Sequence, residues 1–428
     1  MAVTVDKAPA EPGVGLSSRA VAEAYVGGVC FKQGPPRLIG AELEWLTACG
    51  VSSASDSRPR LSMLADALGP YAPQSISPDS PAKVLPGGSR ITLEPGGQVE
   101  LSSAPFDDAS QLCARLLEDS QFLSGLLETR SIRIISGAAD PDRRARRVLR
   151  LPRYRAMERS FAGVGPYGKL MMCNTAATQV SVDAGADRAE IAARWNALYT
   201  IGPALLAAFA CSPRLRGAPA GTWASQRMRT WLRLDHTRTR PPVRNWNDPI
   251  TDYGRWALDV PLLCVRRGGS ETDWTAPPGA SFADWLCGAL DEEIGRRPER
   301  EDLDYHLTTI FPQVRASGHL EIRYLDAQPE EQWTVPIHAV DALMSAPAVV
   351  AEAAAVAEPV ADDWAMAARC GLADPQIREV AVALLALAAE HARTDDAADQ
   401  IGAAVRRCRE GRTPGGAIAR CEPAGDAE

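Results

Sequence analysis

Apolar and polar residues alternate with a period of two in four short stretches of the chain. They are Leu38-Ile-Gly-Ala-Glu-Leu-Glu-Trp45, Ile91-Thr-Leu-Glu-Pro-Gly-Gly-Gln-Val-Glu-Leu101, Thr178-Gln-Val-Ser-Val-Asp183 and Leu320-Glu-Ile-Arg-Tyr324. A strand repeats every two residues, so Glu42 and Glu44 share a face, as do Gln98 and Glu100, and Glu321 and Arg323. Residues 85–101 read as two strands joined at Pro95-Gly96-Gly97, residues 131–136 as a short strand, and residues 171–183 as another. Helical spacing marks 17–29, with Ser17 or Ser18 as cap, then 61–68, a long helix from Asp107 or Asp108 to about 129, and 154–161. It returns over about 186–209, in an acidic stretch at 282–294 and from about 335 onward. Residues 212–250, rich in Arg, Pro and Trp, read as a long functional loop. Strands and helices are interspersed without βα regularity, which predicts an α+β protein. The expected organisation is a disordered tail (1–16), one domain (17–411) with a helical C-terminal part, and a polar tail (412–428).

Composition narrows the function. The 428 residues are 46% hydrophobic and 23% charged, and the net charge of −8 argues against a nucleic-acid or anionic-membrane surface. The longest apolar stretch, Val380–Ala389, is flanked by Glu379 and Glu390 and is far shorter than the ~20 residues a membrane span needs. The N-terminus lacks the basic start and compact apolar stretch of a secretion signal, so the cytoplasm is the expected compartment. Ten cysteines without a CxxC pair read as scattered, mostly buried thiols, neither a disulfide framework nor a zinc site. Five scattered histidines leave a hard, oxygen-ligated cation as the better candidate metal.

Gly163-Val-Gly-Pro-Tyr-Gly-Lys169 matches both GxGxxG and most of a P-loop. A P-loop needs a hydroxyl after the lysine, and Leu170 has none; both motifs need a preceding strand, whereas 153–161 reads as helix. A flexible connection is the better account.

The carboxylate strands carry more. One wet face of an antiparallel sheet alternates without any function. Yet these positions supply Glu42, Glu44, Glu94, Glu100 and Glu321 with no lysine among them, beside Trp45, Leu101 and Tyr324. So many acids on one sheet repel each other unless cations sit among them. Mg²⁺ takes oxygen ligands, usually one or two carboxylates plus phosphate oxygens and water. Five carboxylates therefore suit two or three ions around one ATP.

At these residues the chain resembles the ATP-dependent glutamate–cysteine ligases of plants, proteobacteria and actinobacteria. The resemblance rests on Gly40-Ala-Glu-Leu-Glu44, Leu93-Glu-Pro-Gly-Gly-Gln-Val-Glu-Leu-Ser102, Pro152-Arg-Tyr-Arg-Ala-Met157, Thr178–Asp183, Asp259-Val-Pro261, His306-Leu-Thr-Thr-Ile-Phe-Pro-Gln-Val-Arg315 and Leu320-Glu-Ile-Arg323. It implies a catalytic domain like that of glutamine synthetase, a curved antiparallel sheet forming a funnel with helices outside. It also implies that ATP phosphorylates the γ-carboxylate of glutamate and that the cysteine amine then attacks the acyl phosphate. Carried over, Glu42, Glu44, Glu94, Glu100 and Glu321 are metal ligands, and Gln179 falls where some relatives use a histidine. Arg323 clamps the transferred phosphoryl group. Arg227 binds glutamate, with Arg229 and Arg233 as rivals for that role, and Arg153, Tyr154 and Trp231 complete the pocket. The role of His306 stays open. Partners are small molecules, a monomer is favoured, and the Ala-rich composition resembles the actinobacterial subgroup whose product enters ergothioneine synthesis. A ligase using another amine, or a non-enzymatic module that merely holds ions, is the alternative.

Overall fold

The computed structural model describes residues 16–50, 57–239, 245–267 and 273–421. The tail expected at 1–16 lies outside these residues save Leu16, which packs against the core. Seven strands form one antiparallel sheet: β1 (Ile39–Cys49), β2 (Arg90–Leu93), β3 (Val99–Ser102), β4 (Ile132–Ile135), β5 (Ala177–Val182), β6 (Val314–Ala316) and β7 (Leu320–Asp326). The order is β2-β3-β1-β5-β7-β6, with β4 on the far end of β1, so the sheet is open. The α+β class and the antiparallel sheet packed by helices are as the sequence reads.

In β1 the core takes Ile39, Ala41, Leu43 and Trp45, while Gly40, Glu42 and Glu44 alternate with them on the half-buried face. Helices cover the core side; Tyr324 of β7, for example, donates to the Leu198 carbonyl at 3.1 Å. One continuous apolar cluster runs from Ala22 through the sheet to Cys408.

Caps set the helix starts. Ser18, Asp108, Ser225 and Thr394 each accept a hydrogen bond from a first-turn amide, satisfying donors that have no partner within the helix.

Several local expectations are corrected. Residues 171–174 end the helix Tyr167–Asn174, and the strand begins only at Ala177. The 186–209 helix is two, Arg188–Thr200 and Gly202–Phe209, because Pro203 has no amide to continue the ladder and its ring crowds the preceding turn. The acidic stretch is likewise two short helices, Phe282–Cys287 and Asp291–Ile294, parted at Gly288 with φ 94°. The supposed loop 212–250 contains the helices Gln226–Leu232 and His236–Thr239. Eight cysteines are free, but Cys370 and Cys421 form a disulfide. The segment after Gly411 folds back through the Arg412–Ile418 bridge and an Ala419 amide to Gly411 carbonyl bond, which brings the two together. Residues 422–428 of the expected polar tail lie outside the described residues. Among the described residues no single helix is long and apolar enough to cross a membrane.

Candidate active site

Register assembles the acids. Glu44 lies opposite Glu100, and Glu42 opposite both Ser102 and Gln179. Glu321 pairs with Arg315 across the β6–β7 hairpin and with Ser181 on its other side. A register shift between Thr178 and Val180 places Gln179 at an irregularity beside β7. Gln179 Nε2 donates to Glu42 Oε2 at 3.1 Å and Glu44 Oε1 at 2.9 Å. Glu44 Oε2 also takes the Ala177 amide at 2.9 Å. Glu100 Oε1 accepts from Thr92, and Ser102 reaches Glu42 at 3.2 Å.

Residues 94–98 close the β2–β3 hairpin, with a Gly97 amide to Glu94 carbonyl bond of 2.8 Å. Gly97 has φ 86°, which glycine adopts without strain. A Cβ at Gly96 would run into the Cys173 backbone. Two glycines thus let the hairpin tip touch the end of helix Tyr167–Asn174, where Gln98 Nε2 donates to the Thr175 carbonyl at 2.8 Å.

Glu44, Glu94, Glu100, Gln179, Arg153, Tyr154, Arg227, Trp231 and Arg323 all line one cavity of about 70 Å³. Glu42 and Glu321 adjoin it through Gln179 and through the arginines. Every sequence-predicted site residue is therefore in one place. A larger cavity, about 770 Å³, lies elsewhere, but the narrow one holds the convergent charges that chemistry requires. It is narrow because guanidinium groups fill it. Arg315 grips Glu321 with Nε at 3.0 Å and Nη2 at 2.8 Å, and Arg323 donates to the same carboxylate.

Arg227 is held by the Arg323 carbonyl at 2.6 Å and sits 5.4 Å from the Trp231 ring; Arg323 lies 5.6 Å from the same ring. Its helix is anchored by Asp326 at the end of β7. Asp326 accepts from Ser212 Oγ at 2.7 Å, the Cys211 amide at 2.9 Å and Ser225 Oγ at 2.8 Å, and Ser225 is the cap of that helix. The rivals point away. Arg229 bonds the carbonyls of Pro219 and Ala220, and Arg233 is exposed. Arg153 is bound to Thr308 at 2.7 and 2.8 Å. His306 is a satisfied helix-end residue, its Nε2 2.8 Å from the Ala257 carbonyl and its ring against Phe282.

Burial raises the carboxyls of Glu42, Glu44 and Glu100, and neighbouring acids add to it: Glu321 for Glu42, Glu100 for Glu44, and Glu42 for Glu100. Burial also opposes charge on Glu321, but Arg315 and Arg323 override it and hold that carboxyl well below the usual range. Among the described residues, no group of three or more His, Cys, Asp or Glu side chains is already clustered closely enough to hold an ion. The donors nevertheless suit a hard cation: Glu100 Oε2, Gln98 Oε1 and Gln179 Oε1 are buried oxygens without a hydrogen-bond partner, a costly condition that a cation relieves.

Gln98, Arg315, Thr308 and Phe311 also line the cavity and were not singled out as site residues from sequence. Gln98 shares the Glu100 face. Arg315 was visible as the end of the His306–Arg315 string. Residues 163–166 join two helices, Tyr167–Lys169 open the second, and a helix rather than a strand precedes them, so the stretch lacks the setting of a nucleotide loop.

The chain matches the family model described as glutamate–cysteine ligase family 2 over residues 38–425. It is 37% identical over 384 residues to the glutamate–cysteine ligase EgtA of Mycolicibacterium smegmatis, covering 89% of this chain and 86% of that one. It is 35% identical over 385 residues to EgtA of Mycobacterium tuberculosis, covering 89% and 85%. Among solved structures it is similar to a glutamate–cysteine ligase from Francisella tularensis in complex with AMP, at TM-score 0.48 and 15% identity, covering 90% and 84%.

Proposed function

The chain belongs to glutamate–cysteine ligase family 2 and is an ATP-dependent ligase of that kind; we propose that it joins the γ-carboxylate of L-glutamate to the amine of L-cysteine through a γ-glutamyl phosphate. A γ-carboxylate oxygen attacks the γ-phosphorus of ATP and ADP leaves. The cysteine nitrogen then attacks the acyl carbon, the C–O bond to phosphate breaks, and the amine proton is lost as the amide forms. The resemblance to the actinobacterial subgroup supports ergothioneine synthesis as the pathway that takes the product.

The observation that carries this reading is the meeting of Glu44, Glu100 and Gln179 with Arg227 and Arg323 in one desolvated hollow. Arg227 takes the glutamate carboxylate, since a buried guanidinium fork suits a planar anion. Arg323, with Arg315 beside it, clamps the transferred phosphoryl group; phosphate oxygens offer Arg315 the bidentate partner that Glu321 now supplies, and offer Arg323 an acceptor for its unpartnered Nε as well. Glu42, Glu44, Glu94, Glu100 and Glu321, with Gln179, would hold two or three Mg²⁺ ions. Bound Mg²⁺ supplies the charge neutralisation that lets a carboxylate approach a polyphosphate. Tyr154 and Trp231 wall the site, and exclusion of water strengthens its electrostatics and protects an acyl phosphate from hydrolysis.

The test is phosphate release from Mg-ATP and glutamate with a panel of amines. Cysteine-dependent release with γ-glutamylcysteine as product is expected. Release with another amine but not cysteine would assign a related ligase, and no turnover with any amine would favour an ion-holding module.

A further inference from the structure

Arg58 belongs to none of the sequence motifs and does not line the active-site cavity, yet it touches two parts of that lining from outside. The β2–β3 hairpin supplies Glu94, Gln98 and Glu100 to the cavity, and the end of helix Tyr167–Asn174 supplies Met171 and Met172.

The tip of this hairpin is buried, so its carbonyls need donors from elsewhere in the chain. Pro95 takes the Val148 and Leu149 amides at 2.7 and 3.1 Å. Gly97 takes Thr47 Oγ1 at 2.8 Å. Between them, Gly96 takes Arg58 Nη1 at 3.1 Å, and the same nitrogen donates to the Cys173 carbonyl at 3.0 Å. The latter is one of the last-turn carbonyls that a helix leaves unpaired, at the end where its dipole favours a cation. Nη2 is spent on the Asn174 side chain and on Asp140, at 3.3 Å from the latter. The Arg58 side chain is only 8% exposed.

The other two tip contacts hold the hairpin alone. Arg58 ties it to the helix end, and that spacing matters for one amide. Gln98 Nε2 reaches across the same junction to the Thr175 carbonyl at 2.8 Å. With its nitrogen fixed there, its Oε1 stays buried and without a partner, as does Glu100 Oε2. Were tip and helix end to separate, Gln98 would lose its anchor and its oxygen would no longer be aimed.

We propose that Arg58 is a positioning residue for the cation site: by bridging the Gly96 and Cys173 carbonyls it fixes hairpin against helix, and so orients Gln98 Oε1 and the Glu94 and Glu100 carboxylates toward a bound divalent ion. The inference rests on the reading of these acids as metal ligands.

Paramagnetic-resonance titration of the full chain with Mn²⁺, standing in for Mg²⁺, in the presence of the β,γ-imido analogue of ATP tests it without turnover. Arg58→Ala is expected to weaken Mn²⁺ about 10- to 100-fold, the usual effect of losing a group that orients metal ligands. The glutamate KM at saturating Mg²⁺ should stay within about twofold, because the bonds that hold Arg227 do not involve Arg58. Guanidinium ion at millimolar concentration should restore part of the Mn²⁺ affinity of the alanine variant, and sodium at the same concentration should not. Arg58→Lys keeps the charge but not the planar fork that spans two carbonyls, so it should bind Mn²⁺ as weakly as the alanine variant, and it carries the test should that variant not fold. Parent-like Mn²⁺ affinity in either variant, whatever the change in melting temperature, would overturn the proposal and reduce Arg58 to a stabilising residue. A parent chain that binds no Mn²⁺ would sink the metal-ligand reading and this one with it, so the two failures are told apart.

Discussion

Trp231 has two guanidinium neighbours, yet Arg227 and Arg323 are tied differently: Arg227 to a backbone carbonyl and, at 3.9 Å, to Asp326, and Arg323 to Glu321. Arg227→Ala is expected to raise the glutamate KM by about 10- to 100-fold, the range of a lost charge-assisted bond, with a smaller change in kcat. Steady-state kinetics against each substrate will check this; an effect confined to ATP would reassign the residue. The acids should separate in stability. Glu100→Gln and Glu321→Gln are each expected to lower ATP turnover at least about 100-fold, as loss of a catalytic electrostatic group does. Glu100 sits among other acids with one oxygen unpaired, so its neutral variant should melt no lower than the parent. Glu321 neutralises two buried arginines, and its variant should lose about 3–5 kcal/mol in a urea titration. Period-two alternation made all five acids legible. Arg315 closes the His306–Arg315 string, but its role was not legible, because it depends on the β6–β7 register, which a three-residue connection around Gly318 (φ 85°) sets. A short alternating Val314-Arg-Ala run before Ser-Gly-His was the available signal.

At the scale of elements, the site depends on two supports. One is Asp326, which holds the cap of the helix carrying Arg227. Asp326→Ala strands the Ser212 and Ser225 hydroxyls and the Cys211 amide and removes the carboxylate 3.9 Å from buried Arg227. It should cost about 1–3 kcal/mol for each donor left unsatisfied and raise the glutamate KM, while Asp326→Asn should restore part of both. Equal KM in parent and Ala variant would show that the anchor is dispensable. The other support is the β2–β3 hairpin, where Gly96→Ala should displace the tip and with it Glu94 and Gln98. Caps were readable at Ser18 and Asp108, each as one of two neighbouring candidates, because their chemistry is local. The helix at residues 171–174 was misread because Met171-Met-Cys-Asn-Thr carries no periodicity, and its packing comes from Gly168 lying against Phe161. The helix carrying Arg227 was read as loop because it is only seven residues long, and its stability comes from Asp326, a hundred residues away.

For the whole molecule, pH dependence has a defined sign. Burial, with Arg238 adding to it, lowers His306 from 6.5 to about 4. The unfolded chain therefore binds this proton first as pH falls. The contribution is fully present above pH 6.5 and is lost as pH falls from there through about 4, a change of about 3 kcal/mol. Urea midpoints across that window should decline with acidity, and His306→Gln should flatten the decline. Overall, α+β class and sheet type were legible because strands and helices differ in period; strand order was not, since it rests on contacts between distant segments. That order has a price in time. β1 is synthesised early and lies between β3 and β5, but β7, which completes the face, emerges only after residue 320. Until then a nascent chain leaves β5, which carries Gln179, as an unfinished edge open to foreign strands. Ribosome-bound fragments ending before β6 should therefore recruit chaperones, and those extending past Asp326 should release them.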